Sequence, residues 1–237
     1  ELNAYVHKEG GVVFELDYLP VPWNYGDSLA SNVKENGEPG TPLFGRHLFV
    51  DHFFEPESPV APGEVDTAER GDFVERLYTV QQLSKDGHRI HLSAVGTVDG
   101  PEGPHPVELH KEYGFDGSTV NVLYRVQNRG QQALQTRFAS EVNLSLSAND
   151  EGSSRIIAGQ GAGSPLSPEA PDWVDGTDRA RLYDLQNDVM LLLKDDESCG
   201  MSSAPVEVGG EGAAALYQAS CFLPQWQLDL APGEAWT

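Results

Sequence analysis

Basic residues are scarce. The 237-residue chain carries 15 Lys+Arg against 37 Asp+Glu, a formal net charge of −22. A nucleic-acid partner needs a basic surface to neutralise phosphates, and an anionic membrane surface makes the same demand. Neither is expected as a partner. The acidic excess reads as a well-solvated surface, of a kind that also suits a salt-rich cytoplasm. No apolar run approaches the roughly 20 residues of a membrane span, and no secretory leader is recognisable. Cysteine is nearly absent. Cys199 and Cys221 form no metal or redox spacing, so two reduced thiols and a cytoplasmic setting are expected. Helical periodicity is missing too: no window of about a dozen residues sustains apolar positions at i, i+3, i+4 and i+7. There is no internal repeat, no Gly-rich phosphate loop between a strand and a helix, and no G-x-S-x-G elbow. The seven histidines offer no local ligand set. His88 and His91, or His47 and His52, would point to opposite sides of a strand, so neither a metal nor a cofactor is expected.

What the sequence does hold is alternation. Short runs of period two cover 12–18, 43–54, 73–80, 88–98, 107–115, 119–127, 134–147, 180–185, 189–194, 213–222 and 225–230. Turn signals separate them, among them Asp86-Gly87, Asp99-Gly100-Pro101, Asp116-Gly117, Asn128-Arg129-Gly130 and Pro232-Gly233. About a dozen strands without helices implies an all-β fold of sheet packed on sheet. Two stretches read as long loops: 20–42, with Trp23 and Tyr25, and 151–178, with Trp173 near its end. Neither looks like a linker. The chain opens on Glu1 and stops at Ala235-Trp236-Thr237 where a strand begins. One domain over 1–237, cut from a longer chain, is therefore expected.

Strand parity sorts the polar residues. In 134–147, Phe138, Val142, Leu144 and Leu146 share the core face, while Arg137, Glu141, Asn143 and Ser145 share the other. That second face is either solvated or the lining of a groove in which Glu141 and Asn143 take sugar hydroxyls. In 44–54 both faces are largely apolar, with His47, Phe49, Asp51 and Phe53 on one and Leu48, Val50, His52 and Phe54 on the other. This strand should be central. Asp51 then needs a buried partner from a neighbouring strand or loop, or else a ligand. Glu15 and Asp17 project side by side from one strand, unlike the two carboxylates that flank a glycosidic bond, and read as polar-face residues.

The order of several strand motifs resembles the C-terminal domain of glycoside hydrolase family 57 α-amylases and 4-α-glucanotransferases. The pieces are Gly11-Val-Val-Phe-Glu-Leu-Asp17, Phe49-Val-Asp-His-Phe53, Asp72-Phe73 with Tyr78, and Phe138-Ala-Ser-Glu-Val-Asn-Leu-Ser145. Tyr183-Asp184, Tyr217-Gln218, and Trp226 with Pro232-Gly-Glu-Ala-Trp236 complete a collinear set over nearly the whole chain. The resemblance implies a two-sheet antiparallel β-supersandwich, galactose-mutarotase-like, following a catalytic (β/α) barrel that holds both catalytic carboxylates. No catalytic residue is therefore expected here. Two stretches depart from the family pattern. Trp23-Asn-Tyr-Gly-Asp-Ser-Leu29 stands where relatives carry an Arg-rich segment, and 205–211 lacks the usual Ser/Glu-Gly pattern.

Three functions fit such a chain. The first is a non-catalytic accessory domain that supports its barrel and helps bind an α-glucan or maltooligosaccharide. The second is an aldose-epimerase-like enzyme, which needs an acid and a base on opposite sides of a sugar ring, such as a histidine and Glu141. The third is a free-standing carbohydrate-binding module with Trp23, Tyr25 and Trp173 as platforms. The expected sugar contacts are Glu141, Asn143, Trp23, Trp173 and Asp51.

Overall fold

A computed structural model describes residues 1–28, 45–101, 103–150, 152–208 and 216–237. Among the described residues fifteen strands form two antiparallel sheets. The larger contains β1 (Leu2–Val6), β2 (Val13–Tyr18), β3 (Trp23–Asn24), β4 (Leu48–Phe54), β9 (Leu134–Leu144), β10 (Ser154–Ala158), β11 (Ser164–Leu166), β12 (Asp172–Asp184), β13 (Val189–Val208) and β14 (Leu216–Leu230). Its order is β1-β2-β4-β9-β14-β13-β12-β10-β11, with β3 beside β2. The smaller holds β5 (Thr79–Leu83), β6 (Arg89–Gly100), β7 (Gly103–Asp116), β8 (Thr119–Asn128) and β15 (Ala235–Trp236), in the order β15-β8-β7-β6-β5. The main core lies between them, where Leu92, Leu109 and Val126 of the smaller sheet meet Phe53, Phe138 and Phe222 of the larger. The fold is thus the all-β two-sheet sandwich that alternation predicts. No helix among the described residues is long and apolar enough to cross a membrane.

Parity holds where it matters most. Phe138, Val142, Leu144 and Leu146 are all buried in that core. As expected from its two apolar faces, β4 is central, paired with β2 and β9. One face assignment needs correction. Phe49 has φ 66° and sits in a bulge between Leu48 and Val50, so Leu48 crosses to the core face with Asp51 and Phe53.

The loop assignments need more revision. The stretch 151–178 is largely strand, because β10, β11 and the first half of β12 lie in it. Gly159, Gly161 and Gly163 all have positive φ and fold β10 back on β11 over a tight connection, and a turn that dense in glycine hides the alternation on either side. Ile156 and Ala158 are core residues. Ile156→Val should accordingly cost about 0.5–1.5 kcal/mol in chemical denaturation, as buried Ile truncations do. A change near zero would return the segment to the surface. Conversely, most of 73–80 is not strand: it turns under the smaller sheet, with Phe73 and Tyr78 buried. Within the loop read at 20–42, residues 23–24 pair with β2, and 29–42 lie outside the described residues.

The segment between β4 and β5 positions the site. It reads Glu55-Pro-Glu-Ser-Pro-Val-Ala-Pro62 and then makes one 3-10 turn (Pro62–Glu64) and one α turn (Val65–Ala68). Three prolines exclude a ladder strand here. It lies against the outer face of the larger sheet, where Val60 and Val65 pack on Phe54, Ala139 and Leu223 in a second small core. Gln225 holds it down. Its amide accepts from the Val60 N–H at 3.0 Å and donates to the Val60 carbonyl at 2.6 Å.

Candidate functional site

Glu141 and Asn143 do lie on the face opposite the core, as parity predicts, but that face is closed. Both are fully buried. The covering segment explains this, since it carries Glu69 down onto the end of β4 beside His52. His52 bridges two carboxylates, with Nε2 2.9 Å from Glu141 and Nδ1 2.5 Å from Glu69. Each ring nitrogen faces an acceptor, so both must carry protons and the ring is an imidazolium. Burial alone pushes the His52 pKa down. The hydrogen bonds to Glu141 and Glu69 and their charges outweigh it and raise the value to about 9. Burial likewise pushes Glu141 up, while the His52 hydrogen bond and the Arg46 charge bring it down to about 2. Arg46 Nη1 donates to Glu141 at 2.9 Å, and Asn143 Nδ2 donates to it at 2.7 Å. The solvated-face reading is corrected by this network, in which the Glu141 carboxylate is held wholly by protein groups, while the buried Asn143 Oδ1 has no partner among the described residues.

Asp51 points the other way, into the space between the sheets. Its carboxylate is 2.7 Å from Lys111 Nζ and accepts from the Tyr78 hydroxyl at 2.7 Å. Both charged side chains are fully buried. The partner sought for Asp51 therefore comes from β7, and Asp51 is enclosed by protein on every side. Burial raises the Asp51 pKa and lowers that of Lys111, each opposed by the charge of the other. Sequence reasoning missed Lys111 although its signal was present. It stands in the inward row Val107, Leu109, Lys111, Tyr113, and a lysine in an apolar row of a central strand announces a buried partner.

The aromatics sit elsewhere. Trp173 is on β12, not in a loop, and is 36% exposed. It lines a cleft of about 570 Å³ with Pro59, Arg137, Asp175, Glu197, Gln227 and Trp236 among the wall residues. Gly200 makes room for the indole: a Cβ there would come within 2.2 Å of the ring. Trp23 lines a separate cleft of about 300 Å³ with Asn24, Asp27, Ser145, Tyr217 and Gln218. Its indole N–H donates to the Ser145 carbonyl at 2.7 Å. Tyr25 is buried and hydrogen-bonds Asp184, so it offers no exposed ring. Thus Trp23 and Trp173 belong to different clefts, and Glu141, Asn143 and Asp51 line neither. Glu15 and Asp17 stand partly exposed on β2, with Asp17 accepting from Asn3 at 2.9 Å. Among the described residues no three His, Cys, Asp or Glu side chains gather as a metal site.

Set beside known proteins, residues 43–237 match the family model of the α-amylase/4-α-glucanotransferase C-terminal domain. The chain belongs to this family. No curated protein sequence matches it. Among solved structures, 4-α-glucanotransferase from Thermococcus litoralis superposes with a TM-score of 0.76 at 18% identity, over 99% of this chain and 35% of that one. A galactose mutarotase-like protein from Clostridium acetobutylicum superposes with a TM-score of 0.61 at 12% identity, over 99% of this chain and 90% of that one. A galactose mutarotase related enzyme from Lactobacillus acidophilus gives 0.61 at 10% identity, covering 99% and 91%. The fold is therefore mutarotase-like, and the chain spans about a third of the length of the glucanotransferase it matches.

Proposed function

We propose that residues 1–237 form one non-catalytic C-terminal accessory domain of an α-glucan-acting enzyme of 4-α-glucanotransferase or α-amylase type. The domain packs on a catalytic barrel of the same parent chain and contributes to binding an α-glucan or maltooligosaccharide. The observation that carries this reading, beyond family membership, is the closed Glu141–His52 pair. An epimerase needs its acid and base separated by the width of a sugar ring. Here the two hydrogen-bond each other directly at 2.9 Å with both side chains fully buried. A cytoplasmic setting is supported by Cys199 and Cys221, both buried and both free thiols.

The second reading, an epimerase, shares only its fold with the mutarotase-like neighbours. One pair of assays separates the two. The purified chain should neither change the length distribution of maltooligosaccharides, read by product chromatography, nor speed mutarotation of fresh α-glucose or α-galactose, read by polarimetry. Turnover in either assay that vanishes in Glu141→Gln would replace the accessory reading with an enzymatic one.

A further inference from the structure

The cleft under Trp173 has the composition of a sugar subsite. Its position follows from the sheet. Arg137 on β9 and Gln227 on β14 are cross-strand neighbours, as are Trp173 on β12 and Ser202 on β13. A bulge in the β12–β13 pairing after Val174 brings Asp175 and Gly176 out beside Glu197 and Ser198. Trp236 closes one wall, its ring tilted at 43° against Trp226 with 5.4 Å between ring centroids, and its indole N–H donates to Glu197 at 3.1 Å.

Three properties converge there. First, the volume of about 570 Å³ falls within the roughly 300–1,000 Å³ of small-ligand sites. Second, an exposed indole is fixed in place. Gly200 lets the indole sit against its backbone, where any Cβ would collide with the ring, and a side chain so confined loses little entropy when a sugar packs on it. Third, donors and acceptors of hydroxyl hydrogen bonds line the walls. Arg137 stands in the wall with one guanidinium N–H committed to the Pro56 carbonyl at 2.9 Å. The Gln227 amide and Asp175 carboxylate stand in the same walls. The Trp23 cleft is smaller, and its indole N–H and the Tyr217 hydroxyl are already engaged by Ser145 and Ser220.

From these observations we infer that the Trp173–Arg137–Gln227 cleft binds a short run of neutral α-linked glucosyl units, with the indole under a sugar face and Arg137, Asp175 and Gln227 on its hydroxyls. The α-linkage rests on the proposed parent activity. The polyhydroxylated, non-anionic character rests on the cleft, where the carboxylates of Asp175 and Glu197 outnumber the one guanidinium and repel an anion, while the Trp173 ring and the Gln227 amide suit a neutral sugar.

Titration of the chain with maltoheptaose and with cellohexaose, followed by calorimetry and tryptophan fluorescence, tests this. Maltoheptaose should bind, and Trp173→Ala should weaken binding at least 10-fold. Gln227→Ala removes an exposed side chain and no packing; it should weaken binding about three-fold with unchanged thermal stability. Cellohexaose should bind at least 10-fold more weakly than maltoheptaose. Unchanged maltoheptaose affinity in both variants would overturn the cleft assignment, and a loss in Trp23→Ala alone would move binding to the other cleft. Absence of any maltoheptaose binding by the wild-type chain would also overturn it. In that case the accessory reading is judged separately by the turnover assays. Equal binding of both oligosaccharides would overturn the α-linked specificity.

Discussion

Lys111→Met is expected to cost the fold about 3–5 kcal/mol, the loss typical of breaking a buried ion pair from one side. The ammonium is fully buried, yet it has more than one partner. Besides Asp51 at 2.7 Å it donates to the carbonyls of Phe49 at 2.7 Å and Gly11 at 3.1 Å, and it lies 5.5–5.8 Å from the rings of Tyr78, Tyr113 and Tyr124. Methionine fills similar volume and satisfies none of these groups, and it leaves Asp51 facing only the Tyr78 hydroxyl. Phe49 makes the case sharper, because its φ of 66° is a conformation that an aromatic residue holds only when its surroundings fix it. Lys111 on the Phe49 carbonyl is part of that fixing. A buried pair can often be exchanged for two apolar residues at no loss. Here the double variant Asp51→Leu/Lys111→Met should stay at least about 2 kcal/mol below wild type, because the Phe49 carbonyl loses the ammonium and the buried Tyr78 hydroxyl loses its acceptor, while the Gly11 carbonyl keeps the Tyr113 hydroxyl at 2.7 Å. Urea denaturation of the three proteins measures this. A single variant within about 1 kcal/mol of wild type would mean that water or another cation replaces the ammonium.

Why some of this was legible in the sequence, and some not, comes down to range. Alternation is a local property, and it located the core face of β9 and the central place of β4 because each residue's side follows from its neighbours. It failed at Leu48, where one bulge reversed the count, and in 151–178, where three left-handed glycines compress a hairpin into what reads as loop. Partners are non-local. Asp51 and Lys111 are separated by the whole of β5, β6 and the covering segment, and parity could demand a partner without naming it. The closure of the Glu141 face was least visible. Whether a polar row faces water, ligand or protein depends on what crosses over it, and the segment after Phe54 carries proline punctuation that reads only as loop. Trp173 was identified for its ring, and its cleft owes as much to Gly200, a residue whose lack of a side chain has meaning only once the indole is above it.

The Arg46–Glu141–His52–Glu69 network gives this domain a stability that depends on pH in two separate windows. His52 titrates at an ordinary 6.5 when unfolded and at about 9 in the fold. Its folded pKa is raised, so its contribution is fully present below about pH 6.5 and is lost as pH rises through about 9. The span corresponds to roughly 3 kcal/mol. Glu141 moves the opposite way, from 4.5 to about 2. Its contribution is complete above about pH 4.5 and disappears as pH falls toward about 2. Both shifts describe the same contact from its two sides, so the limbs are alternatives and do not add at any one pH. Burial pushes the thiols of Cys199 and Cys221 up, so they stay protonated in the fold while the unfolded thiols ionise, which lowers stability further in the same alkaline window but equally in any His52 variant. His52→Gln isolates the effect. Glutamine keeps a hydrogen-bonding side chain of comparable size and cannot titrate, while Glu141 retains Arg46 and Asn143, and Glu69 retains the backbone N–H groups of Phe53, Arg70 and Gly71. Stability from urea midpoints should fall by at least about 3 kcal/mol for wild type between about pH 6 and pH 9.5, and the difference between wild type and variant, in which the thiol contributions cancel, should shrink by about 3 kcal/mol over that range. At about pH 5.5 the variant should be less stable by about 2–4 kcal/mol, since the sheet and its covering segment lose their shared cation. A wild-type-minus-variant difference that stays constant from pH 5.5 to 9.5 would show that the ring is neutral in the fold, and that the clamp between Glu141 and Glu69 is a pair of ordinary hydrogen bonds.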